Sequence, residues 1–323
     1  MTLARRQFLQ LALGACAAPV ASRLAAAQPY PTRAVSVTVG YPAGTSPDII
    51  ARLLAHWLSE RLGQPIIVEN RPGAGSNIAT ETVARAAPNG YSLLLVTASN
   101  AINTTLYDRL NFNFVRDIAP VASIVGTPFV MQVNPSLPAR TLPEFIAYAK
   151  ANPGTVNMAS VGNGTAPHVF GEMFKAMAGV ELVHVPYRTN PTADLLSGHV
   201  QVYFAAILSS IGYIRAGRLR ALAVTTAARS ELLPDIPAMG EFVPGYEASA
   251  WQGVGAPKDT PAEIIDRLNR EINAGLADPG LKARLAEQGA VPIPMTPVAF
   301  GKFIAGEAEK WATVVKSAGI RAE

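Results

Sequence analysis

Cysteine occurs once in these 323 residues, at Cys16, inside an N-terminal segment expected to be removed on export. Without that segment the chain has no disulfide, no cysteine nucleophile and no cysteine-ligated metal. Charge is sparse at 15% and aromatic residues reach only 7%. Lys and Arg number 27 against 23 Asp and Glu, but Arg5, Arg6 and Arg23 belong to the N-terminal segment, which contains no acid. The remainder is balanced at 24 against 23, a net charge of +1. A nucleic-acid partner, which needs a clustered basic face, has no support in that balance. Phosphate-loop lysine and Gly-x-Ser-x-Gly nucleophile patterns are missing too. Gly73-Ala-Gly-Ser-Asn-Ile78 imitates a dinucleotide fingerprint, but Ile78 occupies the third small-residue position and no acid stands suitably about 20 residues on. Ser76 and Ser160 lack a base partner legible in the sequence. His56, His184 and His199 read as solvated or structural, so neither a metal site nor a cofactor is expected, and the chain does not read as an enzyme.

What is present begins with an export signal. Arg5-Arg6-Gln7-Phe8-Leu9 is a twin-arginine pattern, followed by the uncharged run Leu9 to Val20 and a small-residue region ending Ala25-Ala-Ala27. The expectation is a signal peptide over 1–27, cleavage before Gln28 and a soluble periplasmic product. The apolar run is shorter than the ~20 residues of a membrane span, which argues against a signal anchor. Leu13-Gly-Ala-Cys16 is an imperfect lipobox, so lipidation at Cys16 is the alternative.

The other residues, about 296, exceed the usual size of one hydrophobic core, and two domains are expected. Strands and helices alternate along them. Val35 to Val39 reads as a strand. Ile49, Ile50, Leu53, Leu54, Trp57, Leu58 and Leu62 share one helical face, with Gly63 as the stop. Strand Ile66 to Glu69, a helix through Ala87 and strand Tyr91 to Thr97 follow. The loop Ala98 to Asn103, with Ser99, Asn100 and Asn103, then lies where parallel sheets bind ligands, at the carboxyl ends of strands. Pro120 to Val133 reads as one long strand crossing into a second lobe. That lobe repeats the pattern: helices Leu142 to Ala151, Pro167 to Ala178 and Thr192 to Ser197, and strands Val156 to Ser160, Glu181 to Pro186, Val200 to Phe204 and Leu219 to Val224. Strand Ala250 to Gly255 returns to the first lobe, Thr260-Pro-Ala-Glu263 reads as a capping box, and helices near Ile264 to Leu276 and Pro297 to Ser317 close the chain. The expected division is 28–123 with 250–323 as lobe 1 and 124–249 as lobe 2, the layout of a hinged receptor.

Two junctions carry the chemistry. Val35-Ser-Val-Thr-Val39 runs through Gly40-Tyr-Pro-Ala-Gly-Thr-Ser46 into a helix, with Ser46 as cap and Pro47 at the first helical position. Val156-Asn-Met-Ala-Ser160 runs through Val161-Gly-Asn-Gly-Thr165 into another, with Thr165 as cap and Pro167 just inside. The first N–H groups of a helix lack intrahelical partners and carry about half a positive charge, so each junction suits a carboxylate or phosphate. One in each half of the chain suggests a ligand held between two lobes.

The segments YPAGTSPD (41–48), VENRPGAG (68–75), PNGYSLL (88–94), NPSLPA (134–139), SVGNGTAPH (160–168), HVPYR (184–188) and PGYEASAW (244–251) together resemble a Bug-type receptor, the extracytoplasmic solute-binding component of the tripartite tricarboxylate transporter class. The resemblance spans nearly all of the chain beyond the signal. It implies an α/β, type II-like two-lobed periplasmic binding protein fold, a small carboxylate ligand, membrane transporter subunits as partners and a monomeric receptor. The alternatives are a sensor docking on a signalling partner and a hydrolase or lyase on the same fold. It also implies a site in which backbone donors near Ala43, Gly44, Gly162 and Gly164, helped by Tyr41, Thr45, Ser46, Ser160, Asn163 and Thr165, close on the anion. Asp48 reads either as a helix-dipole acid or as a neighbour of the ligand, and His168, Tyr187 and Arg188 either line the cleft or serve structure. The sequence departs from the family's usual pattern at Thr45 and Thr189, which replace Gly, and at Ala205, which replaces an Asp just beyond a strand.

Overall fold

The computed structural model describes residues 30–317 and 319–321. The expected signal peptide, its cleavage before Gln28 and the lipidation alternative at Cys16 lie outside the described residues. Two sheets organise the chain. The first contains β1 (Val35–Val39), β2 (Ile66–Asn70), β3 (Ser92–Thr97), β4 (Ile118–Thr127), β10 (Ala250–Pro257) and the short β11 (Val291–Pro292), in the order β11-β4-β10-β3-β1-β2. The second contains β5 (Phe129–Val133), β6 (Asn157–Ser160), β7 (Val183–Pro186), β8 (Val202–Ala206) and β9 (Arg220–Val224), in the order β7-β6-β8-β5-β9.

The two orders correspond. In each sheet the first βα unit pairs in parallel with strands on both sides, β1 with β2 and β3, and β6 with β7 and β8. In each, the strand arriving from the other sheet is inserted antiparallel, β10 beside β3 and β5 beside β8. The lobes are therefore two copies of one topology, which places β1 and β6 in equivalent positions. Pro128 is the crossing point. β4 pairs in the first sheet as far as Thr127 opposite Ala250, and β5 begins in the second with Phe129 opposite Ala206. The single strand expected over Pro120 to Val133 is thus two, because proline supplies no N–H to a ladder.

Helix α1 (Ser46–Leu62) buries Ile50, Leu53, Leu54, Leu58 and Leu62 against one face of the first sheet and ends at Gly63, whose φ of 70° is left-handed. After α2 (Asn77–Ala84), the expected loop at Ala98 to Asn103 is helix α3 (Ala98–Leu106). The Thr97 side chain and Asn100 form its capping box, a local signal that outweighs the low helix propensity of the Ser/Asn/Thr run. Short α4 (Phe114–Asp117) precedes β4. The second lobe adds α5 (Leu142–Ala151), α6 (Ala166–Ala178), α7 (Thr192–Ser197) and α8 (Ile207–Arg215), the last not anticipated from sequence. α9 (Ala262–Ala277), the also unanticipated α10 (Pro279–Glu287) and α11 (Pro297–Ser317) complete the described chain. The capping box expected at Thr260 is not formed: Pro261 is the cap residue of α9, and the Thr260 hydroxyl donates to the Pro257 carbonyl instead.

The largest core cluster runs through both lobes, joining Ala98, Ile102 and Leu106 of the first to Phe129, Val169 and Phe170 of the second, with Trp311 of α11 between them. Trp311 stacks on Phe170 at 5.5 Å, and the Glu307 carboxylate accepts from the indole N–H groups of both Trp251 and Trp311. The last helix is thereby fastened to β10 of one lobe and to α6 of the other.

Candidate functional site

The two glycine loops share one hydrogen-bond pattern around their threonines and second glycines. At the first, the Thr45 N–H and hydroxyl both donate to the Pro42 carbonyl, at 3.4 and 2.7 Å, and Ile49 N–H donates to the Thr45 carbonyl at 3.0 Å. Exactly 120 residues later would be a coincidence without the shared topology: the Thr165 N–H and hydroxyl donate to the Gly162 carbonyl at 3.3 and 2.6 Å, and Val169 N–H donates to Thr165 at 3.1 Å. Gly44 and Gly164 both take positive φ, 78° and 75°. Each glycine N–H is held by the residue four positions on, Gly44 by the Asp48 carboxylate at 2.8 Å and Gly164 by His168 Nδ1 at 3.1 Å. Thr45 and Thr165 are the cap residues, and neither side chain caps in the usual way because both hydroxyls turn back into the loop. Ser46, expected as the first cap, is the first residue of α1, and its hydroxyl is buried without a hydrogen bond to protein.

The loops differ in electrostatics. Asp48, 3% exposed, accepts from Gly44, from Asn70 at 2.9 Å and from Arg52 at 2.9 Å. Burial pushes its carboxyl upward, but the bonds from Arg52, Gly44 and Asn70 win and hold it below the ordinary value. In the second lobe the equivalent acceptor is a neutral imidazole. Burial, the neighbouring His184 and Lys175 depress His168 to about 3, and burial with Lys175 depresses His184 to about 4. The two rings stack with centroids 4.0 Å apart, and His184 Nε2 lies 2.6 Å from Ser160 Oγ. Ser160 therefore has the imidazole neighbour that the sequence did not reveal. Its hydroxyl is wholly buried and also bonded to Gly162, as acceptor from the N–H at 3.1 Å and at 3.2 Å from the carbonyl, so it is committed to shaping the loop.

Other expected residues fall around these loops. The Tyr41 hydroxyl bonds Ser99 at 2.7 Å and Thr97 at 3.3 Å, and burial raises its pKa. Asn100 is occupied inside the first lobe, accepting from Thr97 N–H and donating to Thr80. Asn103 donates to the Gly75 carbonyl at 2.8 Å and to Asn77, while its Oδ1 has no partner. It stands between the lobes: a Cβ on Gly164 would lie 2.6 Å from Asn103 Oδ1, and one on Gly75 would lie 3.1 Å from the Asn163 carbonyl. Ala43 and Gly44 are exposed at the first loop's tip. Tyr187 follows β7, bonded to Asp194 at 2.7 Å, and its pKa rises to about 12 through burial and that carboxylate. Arg188 beside it is exposed. Ala205, expected just beyond a strand, lies inside β8 and is 1% exposed, packed with Ala159, Leu195 and Tyr203 while Val161 and Tyr187 border the same cluster.

Several polar residues near the loops, apart from Ser76, were not singled out from sequence. Asn70 fastens the first loop by donating to the Tyr41 carbonyl as well as to Asp48. Ser76, at a left-handed φ of 80°, packs so closely on Gly40 that a Cβ there would overlap it, and its hydroxyl is buried without a hydrogen bond to protein. Asn77 Nδ2, Thr127 Oγ1 and Gln252 Oε1 are in the same condition. The signal that could have found Gln252 is a lone amide in the apolar run of β10; nothing local marks Thr127. Among the described residues no group of three or more His, Asp or Glu could hold a metal ion. Helices α1, α3, α6 and α8 all start at the carboxyl ends of strands β1, β3, β6 and β8. That end of the strands gathers helix-end N–H groups and hydroxyls, and the one buried carboxylate among the described residues, Asp48, is already paired with Arg52.

Two lobes of matching topology, each opening a helix from an equivalent glycine loop at the carboxyl end of a strand, define a hinged solute-binding protein. The chain belongs to the tripartite tricarboxylate transporter family receptors, whose family model matches residues 50–320. It is 37% identical to the protein BugT of Bordetella pertussis over 316 residues, 96% of this chain and 95% of that one. Among solved structures, Rpa4515 of R. palustris with adipate has a TM-score of 0.85 at 35% identity, covering 90% of this chain and 99% of its own. MatC of Rhodopseudomonas palustris with bound malate has a TM-score of 0.83 at 29% identity, covering 88% and 100%. The family is described as one of transporter receptors.

Proposed function

We propose that the protein is a periplasmic receptor that captures a small carboxylate between the 41–48 and 160–168 loops and delivers it to membrane subunits of a tripartite transporter. The observation that carries this reading is the shared hydrogen-bond pattern of the two loops, each opening a helix at the carboxyl end of a strand. Adipate and malate in the related receptors support the ligand class. The proposed binding set is Tyr41, Ala43, Gly44, Thr45 and Ser46 with Ser99 and Asn103 from the first lobe, and Ser160, Gly162, Asn163, Gly164 and Thr165 with Tyr187 and Arg188 from the second. Asp48, Asn100, His168 and Ala205 act behind them, shaping the surfaces that touch the ligand. The lobes are 28–127 with 250–323, and 128–249, the first crossing moved from 123 to Pro128 because β4 stays in the first sheet through Thr127. The receptor acts as a monomer and is exported by the twin-arginine route.

Native mass spectrometry of protein purified from the periplasm tests both halves of the proposal. The expected result is a polypeptide beginning at Gln28 that releases a small carboxylic acid on denaturation. A diacylated Cys16 terminus would overturn the soluble form. Absence of calorimetric binding to adipate, malate and the copurifying acid alike would overturn the carboxylate reading.

A further inference from the structure

A polar row crosses the first sheet at its cleft-side edge. Gln252 is opposite Thr97 across β10 and β3, and Thr127 is opposite Ala250, two residues from Gln252 on the same strand. Opposed residues share a face and alternate residues return to it, so Thr97, Gln252 and Thr127 point the same way. Further along, that face is hydrocarbon: Leu93, Leu95, Val125 and Val254. The row continues past Thr97 to the hydroxyls of Tyr41 and Ser99. It ends at the hinge, where Ile207 N–H donates to the Pro128 carbonyl and sets the start of α8 against Thr127. Gln252 is 3% exposed and Thr127 2%, yet Gln252 Oε1 and Thr127 Oγ1 make no hydrogen bond to protein. Leaving such groups unmet is costly, so a buried pair of them calls for a partner.

We propose that Gln252 and Thr127 form a second, uncharged subsite at the hinge that takes a hydroxyl group of the ligand, making the preferred ligand a hydroxylated carboxylate. This rests on the carboxylate reading of the loops. Among the described residues no charged side chain bonds to any side chain in the row, so an ammonium there finds no counter-charge. A second carboxylate would set its lone pairs against Gln252 Oε1. A methyl group would leave that oxygen dry and unmet. A hydroxyl can meet both groups without bringing a charge, donating to Gln252 Oε1 and accepting from Thr127 Oγ1.

Calorimetry on the 28–323 protein with two matched sets of acids, of four and six carbons, tests this. Each set ends in methyl, hydroxymethyl, carboxylate or ammonium. The expected result, in at least one length, is that the hydroxy acid binds about tenfold tighter than its methyl counterpart, the worth of one to two hydrogen bonds. It should also bind tighter than the dicarboxylate and the amino acid. Gln252→Leu and the isosteric Thr127→Val should each bring the hydroxy and methyl acids to within about threefold. A wild type that prefers the dicarboxylate or shows no hydroxyl preference, or a preference that survives both substitutions, overturns the subsite while leaving the carboxylate reading intact. Binding by no acid of either set, together with no binding of the copurifying acid, removes the carboxylate reading and the subsite with it.

Discussion

At the scale of the residue, Asp48 and His168 solve one problem with different chemistry. Each supplies the acceptor for a glycine N–H four residues earlier, but Asp48 brings a charge that Arg52 offsets, whereas His168 must stay neutral to accept at Nδ1. The folded values of about 3 for His168 and about 4 for His184 lie below the ordinary 6.5. Between those limits the unfolded chain binds more protons than the folded one, so this part of the stability is complete above pH 6.5 and is lost as pH falls toward 4 and then 3. Asn is the substitution that places an oxygen where the imidazole has Nδ1. His168→Asn is expected to lower the melting temperature at pH 7, through lost ring packing, and to shrink the further loss between pH 7 and 4.5. Thermal melts at both pH values check this; an undiminished acid loss would show that His168 does not contribute to it.

At the scale of the element, the start of a helix matters more than its body. Four helices of nine or more residues open at strand ends facing the cleft, and the tight turns before α1 and α6 depend on glycines with positive φ. The two glycines nevertheless carry different burdens. A Cβ on Gly44 meets nothing within 4 Å, so only backbone strain opposes it, about 1 kcal/mol. A Cβ on Gly164 meets Asn103 Oδ1 at 2.6 Å and Leu106 at 3.0 Å, both on the other lobe. Gly164→Ala is therefore expected to hold the lobes apart and to abolish ligand-induced compaction in solution scattering, whereas Gly44→Ala keeps compaction and loses about 1 kcal/mol of stability in urea. Equal compaction in the two variants would contradict this assignment.

At the scale of the whole molecule, α11 is the fastening between halves that the chain crosses at Pro128 and again before Ala250. Glu307 accepts from Trp251 and Trp311, each almost wholly buried. Glu307→Ala leaves two indole N–H groups unmet, at about 1 to 3 kcal/mol each, and is expected to cost about 2 to 6 kcal/mol in all. Urea unfolding followed by tryptophan fluorescence measures this. A loss below 1 kcal/mol would mean that the contact does not brace the hinge.

The sequence by itself determined the alternation of strands and helices, the two glycine loops and the family, because each is written in short-range terms: periodic apolar faces, Gly and Pro at turns, contiguous motifs. Helices Thr192–Ser197 and Pro297–Ser317 were legible to the residue for that reason. Where several local signals competed, reading failed: the Ser/Asn/Thr segment after Thr97 resembles a loop until its capping box is seen closed, and Pro128 hides a change of sheet inside one apolar run. Only the tertiary structure decided which distant residues come together. His184 reaches Ser160 across 24 positions, and Gln252 reaches Thr97 from beyond the whole of the second lobe. Strand pairing and packing bring such groups together over distances at which no sequence periodicity operates. The equivalence of the lobes was likewise settled in space, since topology and hydrogen bonding repeat where most of the amino acids do not.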